Sequence, residues 1–199
     1  MDFYSIIARN FQDNIETIAL SVDVLAEPME RAAMLMTHAL LQDKKIMVCG
    51  NGPDGALAQL FTCTMLNRFE NDRPALPALL LSNDAGSITA IAGTSGINDI
   101  FSRPVRALGQ PGDILLCISS GDGHNNLIRA VQAAHERHVD VIALSNTDSG
   151  ELSTLIRSED VELKVNAPRR PRVLEIQTMV IHSLCELIDH TLFDSYTRE

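Results

Sequence analysis

Apolar residues recur three or four positions apart along the first stretch of the chain. Phe3, Ile7, Phe11, Ile15, Ile18, Val22 and Leu25 line one face of a helix over residues 2–25. Pro28 opens a second segment in which Met29, Ala32, Ala33, Met36, Leu40 and Leu41 keep the same period, so two N-terminal helices are expected. A proline suits a first helical turn, where its missing N–H has no partner to lose. Both helices precede any strand and carry more apolar surface than one face of a domain needs. That excess points to burial against other copies of the chain.

From residue 45 the pattern changes. Short apolar runs at 45–49, 77–81, 113–118, 140–144 and 161–165 alternate with helical stretches near 55–69, 86–92, 97–108, 125–137 and 171–193. Unbroken hydrophobicity marks strands covered on both faces, hence a five-stranded parallel sheet under helices. No repeat, low-complexity tract or linker interrupts the pattern. Residues 1–199 are therefore expected as one α/β domain, with a helical pair over 1–43 and the α/β core over 44–199. In such doubly wound sheets the ligand crevice lies beyond the C-terminal ends of the strands.

Composition narrows the function. With 45% hydrophobic and 21% charged residues among 199, the chain has ample material for a core. Lys and Arg total 16 against 26 Asp and Glu, a net charge of −10, which argues against direct nucleic-acid binding. No apolar run reaches about 18 residues, so no membrane-spanning helix is expected. Met1-Asp2-Phe3-Tyr4 lacks the basic start of a secretory signal, and a cytoplasmic protein is expected. Cys49, Cys63, Cys117 and Cys185 show neither zinc spacing nor disulfide density, and read as reduced core residues.

Candidate chemistry lies in two loops that leave strand C-termini. Gly50-Asn51-Gly52-Pro53-Asp54-Gly55 precedes one helix and Ser119-Ser120-Gly121-Asp122-Gly123-His124-Asn125 precedes another. Glycines let the backbone approach a ligand, and hydroxyls beside the free N–H groups of a helix start suit a phosphate. Either loop alone is also an ordinary strand-to-helix turn with capping residues.

Gly50-Asn51-Gly52, Ala58-Gln59, Leu66-Asn67-Arg68-Phe69, Arg106-Ala107-Leu108-Gly109, Gly112-Asp113, Ile118-Ser119 and Leu184-Cys185-Glu186-Leu187-Ile188-Asp189 together resemble the sugar isomerase (SIS) domain family. More narrowly they resemble its group of bacterial phosphoheptose isomerases and DnaA initiator-associating (DiaA) proteins. The resemblance runs over nearly the whole chain. It implies a flavodoxin-like five-stranded parallel sheet, a homotetramer built on the N-terminal helices, and a phosphosugar pocket at subunit contacts.

The resemblance also identifies departures. The isomerases hold zinc with a His and a Glu on the helix after the first loop, and a Gln and a His on the last helix. The Glu and the final His move the proton between sugar carbons. The matching positions here are Leu60, Thr64, Leu174 and His182. Leucine offers no donor, and threonine is a poor zinc ligand and no base near neutral pH. No metal and no cofactor are expected, with His182 the one matching catalytic position.

The family's phosphate loop runs Ser-Thr-Ser-Gly-Asn-Ser, whereas here Ser119 and Ser120 remain and two later hydroxyls are lost. Asp122 adds a negative charge that His124 offsets when protonated. Pro53-Asp54 replaces a Gly-Ser pair, and Asp54 is expected to cap its helix in competition with an anion. An Asn-Asp pair that contacts sugar in the isomerases is Gly93-Thr94 here. Asn51, Gly52, Ser119, Ser120 and His124 are the expected ligand-binding residues, with phosphosugar affinity weakened. Arg169-Arg170-Pro171-Arg172 reads either as a phosphate gate or as solvated, acid-paired arginines. Glu175 and His182 share roughly one face of the last helix and are expected as a polar patch at a subunit interface.

Thr191-Leu192-Phe193 matches in register a Thr-Leu-Phe of DiaA whose Leu and Phe contact the initiator. An exposed Leu192–Phe193 pair would offer a docking hot spot. The resulting expectation is a non-catalytic SIS tetramer that gathers DnaA initiator molecules at replication initiation. Its alternatives are a sedoheptulose 7-phosphate isomerase with a rearranged site, and a phosphosugar sensor.

Overall fold

The computed structural model describes residues 2–121 and 124–193. The five apolar runs form β1 (Ile46–Gly50), β2 (Ala78–Leu80), β3 (Ile114–Ile118), β4 (Asp140–Asn146) and β5 (Val161–Val165). All pair in parallel, in the order β2-β1-β3-β4-β5. β1 and β3 are buried along their whole length, as their unbroken hydrophobicity requires. At the edge, β5 alternates, with Val161, Leu163 and Val165 buried and Glu162 and Lys164 half-buried.

Seven helices are described around the sheet. α1 (Phe3–Leu41), α2 (Pro53–Leu66) and α7 (Arg170–Phe193) cover one face; α3 (Ala85–Thr94), α4 (Ser102–Leu108), α5 (Asn125–Glu136) and the single turn α6 (Glu151–Thr154) belong to the other. Successive strand residues point to opposite faces. Ile46, Val48, Ile114 and Leu116 therefore join the α1/α2/α7 core, while Met47, Cys49, Leu115 and Cys117 join the α4/α5 core.

The two expected N-terminal helices are one. α1 runs unbroken for 39 residues with Pro28 inside it. Pro28 removes only the bond its N–H would make to the Val24 carbonyl, and no Gly, Asn or Ser stands between Ala26 and Met29 to stop the helix. Burial of Leu25, Ala32, Ala33 and Met36 on one side holds both halves in register. The stretch expected as one helix over 97–108 divides into a 3-10 turn (Ile97–Asp99) and α4, because Pro104 has no N–H to give the Ile100 carbonyl. Cys63 is exposed, against expectation, while Cys49, Cys117 and Cys185 are buried. Among the described residues no helix is long and apolar enough to cross a membrane.

Candidate functional site

The strand order reverses between β1 and β3: the chain builds one side of the sheet from β1 to β2 and the other from β3 to β5. Loops leaving two such neighbours diverge, and a crevice opens between them. The two candidate loops follow these strands. Gly50, the last residue of β1, has no room for a side chain, since a Cβ there would meet the Asp54 carbonyl oxygen at 2.5 Å. Gly52 holds the positive φ (55°) that starts α2.

Polar side chains bridge the loops. Asn51 Nδ2 donates to Asn126 Oδ1 and Asn126 Nδ2 to Asn51 Oδ1, each at 2.9 Å, which ties the first loop to the first turn of α5. Ser120 Oγ donates to Asp54, and Arg170 Nε donates to Ser120 Oγ at 2.9 Å. Arg170 Nη2 lies 3.6 Å from Asp54 Oδ2. Ser119 Oγ donates to the Gly121 carbonyl at 3.1 Å. The Ser120 carbonyl accepts from Asn146 Nδ2 at 3.1 Å, and the Ser119 carbonyl accepts from Gln177 Nε2 at 3.1 Å.

Asn51, Gly52, Ser119 and Ser120 thus fall in one crevice, although both serine hydroxyls are engaged within the chain. His124 is the exposed N-cap of α5, and its side chain makes no capping bond. Asp54 does not cap α2, whose N-cap is Gly52 with no side-chain bond. Instead the Asp54 carboxylate is buried and reaches across to the second loop. Asp122 lies outside the described residues. Gly93-Thr94 closes α3, with Thr94 Oγ1 donating to the Ala90 carbonyl at 2.9 Å.

Sequence reasoning missed Asn126, Asn146 and Gln177. Gln177 interrupts the apolar face formed by Val173, Ile176, Val180, Ile181 and Leu184 on α7, and that polar exception was its only signal. It is fully buried, and its Oε1 has no hydrogen-bond partner among the described residues.

The positions matched to zinc ligands do not converge on a donor set. Leu60 is half-buried against the core, and Thr64 Oγ1 donates to its carbonyl at 2.9 Å, inside α2. Leu174 offers no donor atom. His182 is exposed, with its ring centroid 5.8 Å from that of Phe69. It lies twelve positions beyond Arg170, about 18 Å along α7. Glu175 does not join His182 but receives Arg172 Nη2. Among the described residues no three His, Cys, Asp or Glu side chains group as a metal site. The zinc that the resemblance implies does not fit the residues present.

At the far end of α7, Leu192 and Phe193 are half-buried and pack against the α1/α2/α7 core. Phe193 also lines a cleft of about 820 Å³ with Phe69, Arg73, Glu186, Asp189 and His190. Arg73 is almost fully buried there, pairing with Asp189 at 2.7 Å and donating to the Thr64, Met65 and Pro74 carbonyls. Burial pushes the Asp189 carboxyl above its ordinary range against the pull of Arg73. Cys185 is raised to about 12, by burial first and the Asp189 charge second.

A parallel sheet of this order, with two small-residue loops at its reversal point, defines a doubly wound α/β domain. The chain belongs to the SIS domain family, whose pattern matches residues 10–146, and to its phosphoheptose isomerase group. It is 44% identical over 187 residues to a phosphoheptose isomerase of Alteromonas mediterranea, covering 94% of each chain. A second, from Chromohalobacter salexigens, is 42% identical over 98% of this chain and 99% of its own. Among solved structures, the phosphoheptose isomerase of Neisseria gonorrhoeae superposes with a TM-score of 0.88 at 38% identity, covering 94% of this chain and 99% of its own. That of Francisella tularensis gives 0.92 at 35%, over 96% and 100%.

This kinship overturns the expected non-catalytic scaffold that gathers DnaA at replication initiation. The relatives matched end to end carry the name of an isomerase, and nothing in these similarities supports a replication role.

Proposed function

We propose that the protein binds a phosphorylated heptose in the crevice between β1 and β3 and interconverts its ketose and aldose forms. The substrate is of the sedoheptulose 7-phosphate class. The observation that carries this reading is 41–44% identity with phosphoheptose isomerases along 94–98% of the chain. The site chemistry supports the binding half. Hydroxyls, amides and the start of α5 surround the crevice, and Arg170 supplies a cation at its mouth.

Leu60, Thr64 and Leu174 cannot move the proton that passes between the sugar carbons. We assign that task to His182, an imidazole being able to take and return a proton near neutral pH. Within one subunit His182 lies about 18 Å along α7 from Arg170, so we take the imidazole that meets a sugar held at Arg170 to come from a neighbouring copy of the chain. The exposed apolar residues of α1 support such an assembly, which we take to be a cytoplasmic homotetramer.

Incubation with sedoheptulose 7-phosphate, followed by NMR of the sugar, tests the reading. The expected result is interconversion that persists in chelator and falls about a hundredfold or more in His182→Gln. Saturable binding with no interconversion would remove the enzymatic half.

A further inference from the structure

The crevice that should receive a phosphate has a carboxylate beneath it. Asp54 is only 1% exposed, at the second position of α2, where the helix dipole favours an anion. A buried carboxylate is costly unless paired, and this one is held by the Ser120 hydroxyl and the Arg170 guanidinium. The three form a chain: Arg170 Nε donates to Ser120 Oγ at 2.9 Å, and Ser120 Oγ donates onward to Asp54. The single hydroxyl proton of Ser120 is therefore committed. Ser120 can donate to a phosphate only by leaving Asp54.

Arg170 is in the opposite position. Its side chain is 48% exposed, and a guanidinium carries five N–H donors, of which one bonds Ser120 and one terminal nitrogen faces Asp54. It also lies over the second loop, with Nε 3.9 Å from where a Cβ on Gly121 would stand. It is the member of the trio with charge and donors still available to solvent.

We propose that Arg170 enables this crevice to accept a phosphate above a buried carboxylate, by neutralising Asp54 and presenting its remaining N–H groups to the phosphate oxygens. The inference rests on the phosphosugar-binding reading above and adds the element that sets affinity. Without Arg170, an incoming phosphate would face an uncompensated carboxylate at the same helix start. The two residues act as one device, and their effects on binding should not add.

Calorimetric titration of sedoheptulose 7-phosphate into the wild type, Arg170→Ala, Asp54→Asn and the double variant tests this. Arg170→Ala should weaken binding about tenfold or more, and Asp54→Asn should tighten it. In the Asp54→Asn background, removing Arg170 should cost much less, about threefold or under. Thermal melts establish that each variant is folded, and Asp54→Ser is the substitute if the Asn variant is not. Arg170→Ala within twofold of wild type would overturn the proposal, as would an equal loss in both backgrounds. Wild type that shows no saturable binding would overturn the phosphosugar reading itself, and is seen before any variant is made.

Discussion

Asn51 and Asn126 exchange a pair of 2.9 Å hydrogen bonds, so the loop after β1 and the first turn of α5 behave as one unit. Asn126 is buried, and its loss leaves the Asn51 amide with neither bond. Asn126→Ala should cost about 1–2 kcal/mol. In a domain of this size that lowers Tm by about 3–6 °C. Sugar-phosphate affinity should fall with it, because the two walls of the crevice lose their tie. Differential scanning calorimetry and the same titration on one preparation read both effects.

Arg73 ties the end of α2 to α7 through Asp189. Breaking a buried pair by removing one partner commonly costs about 3–5 kcal/mol. Arg73→Ala should therefore be among the more damaging single changes. Asp189→Asn in that background should recover part of the loss, because it removes the carboxylate left unpaired. Urea denaturation of the four-member cycle gives the coupling directly.

Asp140 opens β4 with its carboxyl held above the ordinary range, first by burial and then by the charges of Asp160 and Glu159, with His135 pulling the other way. A carboxyl whose pKa is raised by folding costs stability once ionised. The cost is absent below the ordinary value near 3.8 and complete above the folded one. Asp140→Asn should raise Tm at pH 7, and the gain should vanish at about pH 3. Melting curves across that range check the sign.

Much of this architecture was legible from hydrophobic pattern alone. Fully buried strands such as Ile46–Gly50 and Ile114–Ile118 announce themselves because both faces must be apolar. Helix ends were harder. Pro28 reads equally as the start of a helix or a tolerated interior residue, and only the packing of Leu25 and Met36 into one core decides. The crevice was legible from its two loops, but its internal wiring was not. Asn51 with Asn126, and Asp54 with Ser120 and Arg170, meet across separations of 75 and at least 50 residues that no local pattern encodes. The expected non-catalytic role rested chiefly on Leu60, Thr64 and Leu174 at the zinc-ligand positions, and identity with phosphoheptose isomerases along nearly the whole chain outweighs those three local departures.

The first half of α1 leaves Phe3, Phe11, Ile15 and Leu20 exposed, each above 55%. On the proposed tetramer, this surface is where a second copy of the chain would pack. Phe11→Asp combined with Ile15→Asp should split the assembly, since each carboxylate buried unpaired at a contact costs several kcal/mol. Ile18 is unsuitable for this purpose because it packs against its own core. Sedimentation velocity at micromolar concentration should show the wild type as a tetramer and the double variant as a smaller species.

On the proposed function, this chain moves a proton between the carbons of a heptose phosphate without the family's metal ligands. Deuterium uptake from heavy water reports that step even where net turnover is slow. Chelator-treated protein is incubated with sedoheptulose 7-phosphate in D2O, and the sugar is followed by NMR. Deuterium is expected at the carbon next to the carbonyl, at a rate proportional to protein and lost in His182→Gln. A sugar that binds saturably but takes up no deuterium above the protein-free control would contradict it.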